Sequence, residues 1–405
     1  MTQSKLNQLE KCLVDNGVLS GGGDNQRVTS SSSIDGGITP DKERPVKVKK
    51  IGVLTFSPIV LNPGTVLQSW SLCHYLDSFT SLDVELIFYD FYKDKLLGGK
   101  SFVSVLSVLW KKYSLWRCCG FAKKIKKYPP RKPLVRENVS SINGRYDMIM
   151  VGSDQVWNHL LTKYDKTFFL DFVKGAKKGA YAPSIGKEDW PEEKKHEIKR
   201  FLKDFLFIGV REKQAVPIVQ ALTDKTVHWS IDPTFLINKN EWKSEALLPK
   251  EKKGSYIMEY CIMNELPLLV KVAEKATKVL GIPVIDCFGG RKRVPFAIKK
   301  HNVGADKWLG YLLNAKIVIT DSFHAVAFCI NNNKPFYVII SRNGNRIISI
   351  LELFGLQDRL ITREEDVDFT KEIDWEPVNK KLEEVRKENQ DWLRNSIFKA
   401  FEDNK

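Results

Sequence analysis

From about residue 47 the chain alternates short, wholly apolar runs with longer stretches whose apolar residues recur at helical spacing. "VKKIGVLTF" reads as a buried strand, "GTVLQSWSLCHYLDSF" as a helix and "DVELIFYDF" as the next strand. That is a βαβ unit, and it predicts a parallel sheet covered by helices. "YDMIMVGSD", "KGAYAPS", "FIGVREK" and "TVHWSIDPTFLI" continue the pattern, each an apolar run ending in polar or charged residues. The charged stretch "NKNEWKSEALLPKEKKG" reads as a connector. Beyond it "SYIMEYCI", "GIPVIDCF", "AKIVITDS" and "KPFYVII" form a second strand set, separated by helical segments such as "LPLLVKVAEKATKVL". From Pro377 to Phe401, Val378, Leu382, Val385, Trp392, Leu393 and Ile397 fall near helical spacing and predict a closing amphipathic helix.

The expectation is an α/β protein with two Rossmann-like parallel-sheet domains: a flexible leader over 1–46, a first domain over 47–238, a second over 239–375 and the final helix over 376–405. The leader carries "SGGG", "SSSS" and "DGG" with few apolar residues, too few to offset the entropy of ordering it. A length of 405 residues suits two domains. No apolar run reaches the roughly 18 residues of a membrane span, and no signal sequence is present, so a cytoplasmic location is expected.

The seven cysteines are scattered, without a C-x-x-C pair, and the six histidines show no H-x-x-x-H spacing, so neither a metal site nor a disulfide framework is suggested. The net charge of +15 is unevenly distributed: between Asp94 and Glu137 lie twelve Lys and Arg residues and no acid. Within this insert, at about 95–136, Phe102, Val105, Leu106, Leu109, Tyr113 and Trp116 recur at helical spacing. Two readings stand: an interfacial helix on an anionic membrane, or a helix whose apolar face packs on the first domain. Nucleic-acid binding has only the charge in its favour, because no recognised motif accompanies it.

In parallel sheets ligands bind beyond the carboxyl ends of the strands, which makes strand-end polar residues the informative ones. Ser153, Asp154, Gln155 and Asn158 follow one strand, Arg211 and Glu212 another, and Asp321, Ser322 and His324 a third; Asn62 and Gly64 open the first helix, where backbone N–H groups favour an anion. Together they describe a cleft for a negatively charged ligand with an acid/base group. Asp321, Ser322 and Asp154 read equally well as caps, and Arg211 with Glu212 as an ion pair.

Taken in order, "IGVLTF…NPGTVLQSW…YDMIMVGSDQVWN…GAYAPSIG…IGVREK…IDPTFL…NAKIVITDSFHAVAFCINNNKPF…NGNRIISILELFGLQDR" resembles the polysaccharide pyruvyl transferase family over roughly residues 48–360. The resemblance implies a glycosyltransferase-B-like fold and transfer of the pyruvyl unit of phosphoenolpyruvate onto two sugar hydroxyls, giving a cyclic ketal and phosphate. It further implies His324 at the active site and Arg211 on phosphoenolpyruvate, with no cofactor beyond that co-substrate. Physical chemistry agrees: a guanidinium fork holds phosphate or carboxylate, and a histidine can deliver a proton near neutral pH.

On this reading His324, with Asp154 or Asp321, is catalytic, while Arg211, Ser322, Arg346, Asn62 and Gly64 bind phosphoenolpyruvate, and Ser153, Gln155 and Asn158 line the acceptor cleft. Some relatives have Arg and Leu where this chain has Ser322 and Phe323, an aromatic residue in place of Pro63, and a lysine after the following strand. Arg346 is assigned to that last role ahead of Arg342 and Lys334. The expected partners are phosphoenolpyruvate, a sugar or lipid-linked oligosaccharide acceptor and an anionic membrane surface, with no nucleic acid. A nucleotide-sugar glycosyltransferase of the same architecture and a catalytically inert scaffold are the rival readings; donor choice separates the first.

Overall fold

The computed structural model describes residues 48–56, 62–91, 134–186, 189–262, 267–287, 294–301, 303–340 and 344–402. The leader and nearly all of the basic insert, including its helix, lie outside them.

Two six-stranded sheets, parallel throughout, organise the chain. The first contains β1 (Lys49–Leu54), β2 (Leu82–Ile87), β3 (Met148–Val151), β4 (Lys177–Tyr181), β5 (Phe205–Val210) and β6 (Val227–Trp229), in the order β2-β1-β3-β4-β5-β6. The second contains β7 (Ile257–Tyr260), β8 (Val284–Asp286), β9 (Ile298–Lys299), β10 (Ile317–Thr320), β11 (Phe336–Ile339) and β12 (Leu360–Ile361), in the order β12-β11-β10-β7-β8-β9. Most central strands are buried on both faces, which is why they read as unbroken apolar runs. In each sheet the strand order reverses once, between β1 and β3 and between β7 and β10. Crevices at the carboxyl ends of those strands are the places where this architecture receives ligands. Both sheets belong to one compact unit, and a single hydrophobic cluster runs from Val53 and Trp70 to Val318 and Phe328.

The helices used below are α1 (Pro63–Asp77), α2 (Glu192–Leu202), α3 (Ala215–Gln220), α4 (Lys239–Glu245), α5 (Pro267–Leu280), α6 (Ala305–Asn314), α7 (Phe323–Asn331), α8 (Asn345–Phe354) and α9 (Trp375–Glu402). Asn62 caps α1 by accepting from Gly64 N at 3.0 Å, with Pro63 in the first turn, where a missing N–H costs nothing. α1 is buried on nearly every side, and its polar residues are satisfied internally: Ser71 donates to Leu67 O and Gln68 Nε2 to Thr55 Oγ1.

One element differs from the sequence expectation. The stretch read as a connector contains α4, started by an Asn238/Glu241 capping box and fixed by Trp242, which is buried against Trp70 and Phe328. The expected closing helix is α9; it begins at Trp375 and packs on β4 and β5 of the first sheet and on α7 and α8, which accompany the second. Arg386 Nε donates to Phe235 O at 2.7 Å and its Nη2 to Asn331 Oδ1 at 2.7 Å, Asn389 Oδ1 accepts from Ile231 N, and Trp392 stacks on His228 at 4.4 Å. Among the described residues no helix is long and apolar enough to cross a membrane.

Candidate functional site

The carboxyl ends of β3, β5, β6 and β10, together with α1 and α8, supply one buried cluster of charge. Arg211 follows β5 and is almost wholly buried; its Nη1 meets Asp232 Oδ2 at 2.9 Å, and its Nε lies 3.7 Å from Glu212. Asp232 follows β6 and also receives Ser153 Oγ at 3.3 Å. Burial opposes the charge on Arg211, but Asp232, Glu212 and Asp154 outweigh it and hold the guanidinium pKa above its ordinary value. Glu212 is the converse case: burial raises its carboxyl pKa despite Arg211, Ser184 and Arg346.

His324 enters from the second sheet, in the first turn of α7, with Nε2 at 3.7 Å from Asp232 Oδ2. Burial lowers its pKa; Asp232 and Asp154 pull it up, and Arg211 and Arg346 push it down. The ring lies directly on the backbone of α1. A Cβ added at Gly64 would stand 2.6 Å from His324 Cβ and closer still to the imidazole, so only glycine admits the histidine. Tyr260 OH, from the last residue of β7, reaches Asn62 Oδ1 at 3.5 Å across the same junction.

Asp154 sits at φ 76° and ψ 179°, a region essentially reserved for glycine, which costs about 1–3 kcal/mol when another residue holds it. Its oxygens accept from Thr65 Oγ1 and Gln155 N, each at 2.8 Å. Burial alone would raise its pKa, yet His324, Arg211 and the Thr65 hydroxyl leave it below the ordinary carboxylate value. Arg346, from α8, completes the cluster. Its guanidinium and that of Arg211 lie over the Phe323 ring, at 5.8 and 4.7 Å from the centroid. Arg346 has no ion-pair partner among the described residues, and burial with the proximity of Arg211 brings its pKa down to about 10.

The structure thus gathers His324, Asp154, Ser153, Arg211, Arg346, Asn62 and Gly64. Ser153 is wholly buried, with its hydroxyl on Asp232 and its carbonyl accepting from Thr55. The remaining sequence candidates hold backbone or one another. Asp321 Oδ1 accepts from Ile262 N at 2.6 Å and ties the end of β10 to that of β7, while Ser322 caps α7. Asn158 caps the turn at Leu160 and donates to Gln155 Oε1 at 2.8 Å. Lys334, a weaker candidate for the second cation, donates to Ala315 O at the opposite end of β10; Arg342 lies outside the described residues.

Sequence reasoning did not single out Asp232 or Thr65. Asp232 carried the signal used for the other residues, a polar group just past a strand, within "SIDPTF". A cavity of about 480 Å³ opens elsewhere, between β6 and α9, lined by His228, Trp229, Glu388 and Trp392 and by none of the clustered charges. Among the described residues no group of three or more His, Cys, Asp or Glu is placed to hold a metal ion.

A family model for polysaccharide pyruvyl transferase matches residues 62–343. No curated protein sequence matches the chain. Among solved structures, a protein assigned as UDP-N-acetylglucosamine 2-epimerase from Listeria monocytogenes is similar in fold: 12% identity, 88% of this chain and 98% of that one covered, TM-score 0.50. The UDP-GlcNAc 2-epimerase of Neisseria meningitidis gives 8% identity, 86% and 100% coverage and a TM-score of 0.44. An E. coli heptosyltransferase gives 12%, 73% and 91%, and 0.37. The two facing parallel sheets and the closing helix form a glycosyltransferase-B-like architecture.

Proposed function

Because the chain belongs to the polysaccharide pyruvyl transferase family, we propose that its buried charge cluster binds phosphoenolpyruvate and transfers the pyruvyl unit to two hydroxyls of a sugar in a cell-surface or capsular polysaccharide precursor. The observation that carries this reading is the pair of guanidiniums over Phe323, one of them without an ion-pair partner among the described residues, beside His324. Phosphoenolpyruvate offers two anionic groups to two cations, and a fork can hold each one bidentately.

The reaction requires a proton on the methylene carbon of phosphoenolpyruvate, attack of one sugar hydroxyl at C2, departure of phosphate, and attack of the second hydroxyl. Of the two hydroxyl protons released, one replaces the proton given to the methyl group and the other leaves with phosphate. His324 supplies the first proton. In the free protein burial and the two arginines disfavour its charge; a bound multianion reverses that balance and loads the imidazole. Asp154, held as a carboxylate, faces the positive charge that develops at C2 and orients the incoming hydroxyl.

The acceptor we infer is a glycan on a lipid carrier, presented at the cytoplasmic face of an anionic membrane, with the basic segment at 95–136 supplying the attraction; liposome co-sedimentation with and without anionic lipid tests that location. The function itself is tested by incubating the protein with phosphoenolpyruvate and candidate glycans. The expected result is one inorganic phosphate released per pyruvyl ketal detected by mass spectrometry. Thermal stabilisation by nucleotide sugars and none by phosphoenolpyruvate would sink the proposal in favour of glycosyl transfer.

A further inference from the structure

Asp232 is wholly buried, and its two oxygens have different tasks. Oδ1 is taken up by the turn it caps, accepting from Thr234 N at 3.0 Å and Thr234 Oγ1 at 2.9 Å. Oδ2 faces Arg211 Nη1 at 2.9 Å, Ser153 Oγ at 3.3 Å and His324 Nε2 at 3.7 Å. The last separation is too long for a hydrogen bond. Both His324 Nε2 and Arg211 Nη2 are buried and lack a hydrogen-bond partner among the described residues. The imidazole is confined by the Gly64 backbone on α1. The other charges facing it are Asp154 after β3, Arg211 after β5 and Arg346 on α8, with Glu212 one step further, against Arg211.

We propose that Asp232 is the positioning carboxylate of this site: its Oδ2 is shared between Arg211 and His324 and passes to the imidazolium when Arg211 turns to an incoming anion. The inference rests on the phosphoenolpyruvate reading for the identity of that anion. A phosphate competes for the guanidinium, whose Nη2 has no other partner, and the carboxylate oxygen so released is already beside Nε2. A carboxylate on Nε2 keeps the proton there, stabilises the charged ring and leaves Nδ1 as the nitrogen that delivers a proton to the methylene carbon. An acceptor hydroxyl proton later restores Nδ1, so the step balances without another reactant.

The test is an NMR titration of His324 in protein with isotope-labelled histidine, its signal assigned by loss in His324→Gln. Asp232→Asn keeps the size of the side chain and an oxygen for Thr234 and removes the charge; His324 is expected to bind its proton about tenfold more weakly or worse, a fall of about one pH unit or more. Ser153→Ala removes one donor from Oδ2, which Arg211 and the imidazole then share, so a rise of roughly 0.3 unit is expected. In turnover, Asp232→Asn is expected to lower kcat more than it raises KM for phosphoenolpyruvate, with the optimum displaced to lower pH and Asp232→Glu recovering part of the loss. A purely structural aspartate would not move the pH profile.

An unchanged His324 titration in Asp232→Asn overturns the proposal. Should that variant fail to fold, an unchanged or lowered titration in Ser153→Ala overturns it instead. If the wild-type protein releases no phosphate from phosphoenolpyruvate, the functional reading falls, while the ligand-free titrations still decide the role of Asp232.

Discussion

Gly64 and His324 pack so closely that the space of one methyl group on α1 is occupied by an imidazole carried on α7. Gly64→Ala is therefore expected to displace the ring and reduce turnover by about 100-fold or more, the range a positioned acid contributes. Overpacking at such a point costs about 1–3 kcal/mol. Steady-state rates with phosphoenolpyruvate and a thermal melt check both; a variant that retains wild-type turnover would detach the histidine from the chemistry.

Arg346 is held beside another guanidinium with no ion-pair partner among the described residues, a local conflict that the proposed binding of an anion would explain. Arg346→Met should raise the melting temperature while weakening phosphoenolpyruvate by roughly 10- to 100-fold, the loss of a charge-assisted pair. Calorimetric titration and a melt without ligand measure the two effects, which must move in opposite directions.

The depressed pKa of His324 makes a signed prediction. Below 6.5, and above its lowered native value, the unfolded chain binds a proton that the native protein does not. The contribution of this residue to stability therefore rises with pH across that window and levels off above it. Denaturant unfolding of wild type and His324→Gln, compared from about pH 5 to 7.5, should show a slope that the variant lacks. By the same logic, binding of phosphoenolpyruvate at pH 6.5 should take up protons, visible as a dependence of calorimetric heat on the buffer's ionisation enthalpy.

Arg386 is buried in α9 and joins Phe235 O to Asn331 Oδ1, while Asn331 itself donates to Thr234 O and Ile237 O. Arg386→Ala leaves a buried carbonyl and a buried amide unsatisfied and should destabilise by about 2–4 kcal/mol. Asp232 lies one residue before the turn these bonds support, so turnover should fall as well. Chemical denaturation gives the first quantity; a loss below about half a kcal/mol would mean that water replaces the guanidinium.

The sheets were legible because strands covered on both faces leave unbroken apolar runs, and the cluster was partly legible because ligand-facing residues must follow those runs. His324, Arg211 and Arg346 came from that rule joined to the family resemblance. Asp232 escaped it because an aspartate before a proline reads as a cap, and one of its oxygens is indeed a cap. What its other oxygen meets depends on how a turn after β6 faces a helix from the second sheet, which no local pattern encodes. α4 escaped for a different reason: seven residues give too few turns for periodicity, and Trp242 declares itself only when Trp70 is placed beside it. The landing place of α9 is likewise a property of tertiary packing; its apolar stripe gave the helix and left its partner open.

The junction at which Gly64 receives His324 also orders events during synthesis. The two residues are far apart in the chain, and Arg346 comes later still. Loop closure over such distances is slow relative to local structure. A nascent chain on the ribosome can complete its first sheet while holding neither the histidine nor the second guanidinium. On the roles proposed for His324 and Arg346, turnover needs α7, α8 and the later α9 in place, so recovered turnover in a refolding experiment reports late assembly and not completion of the first sheet.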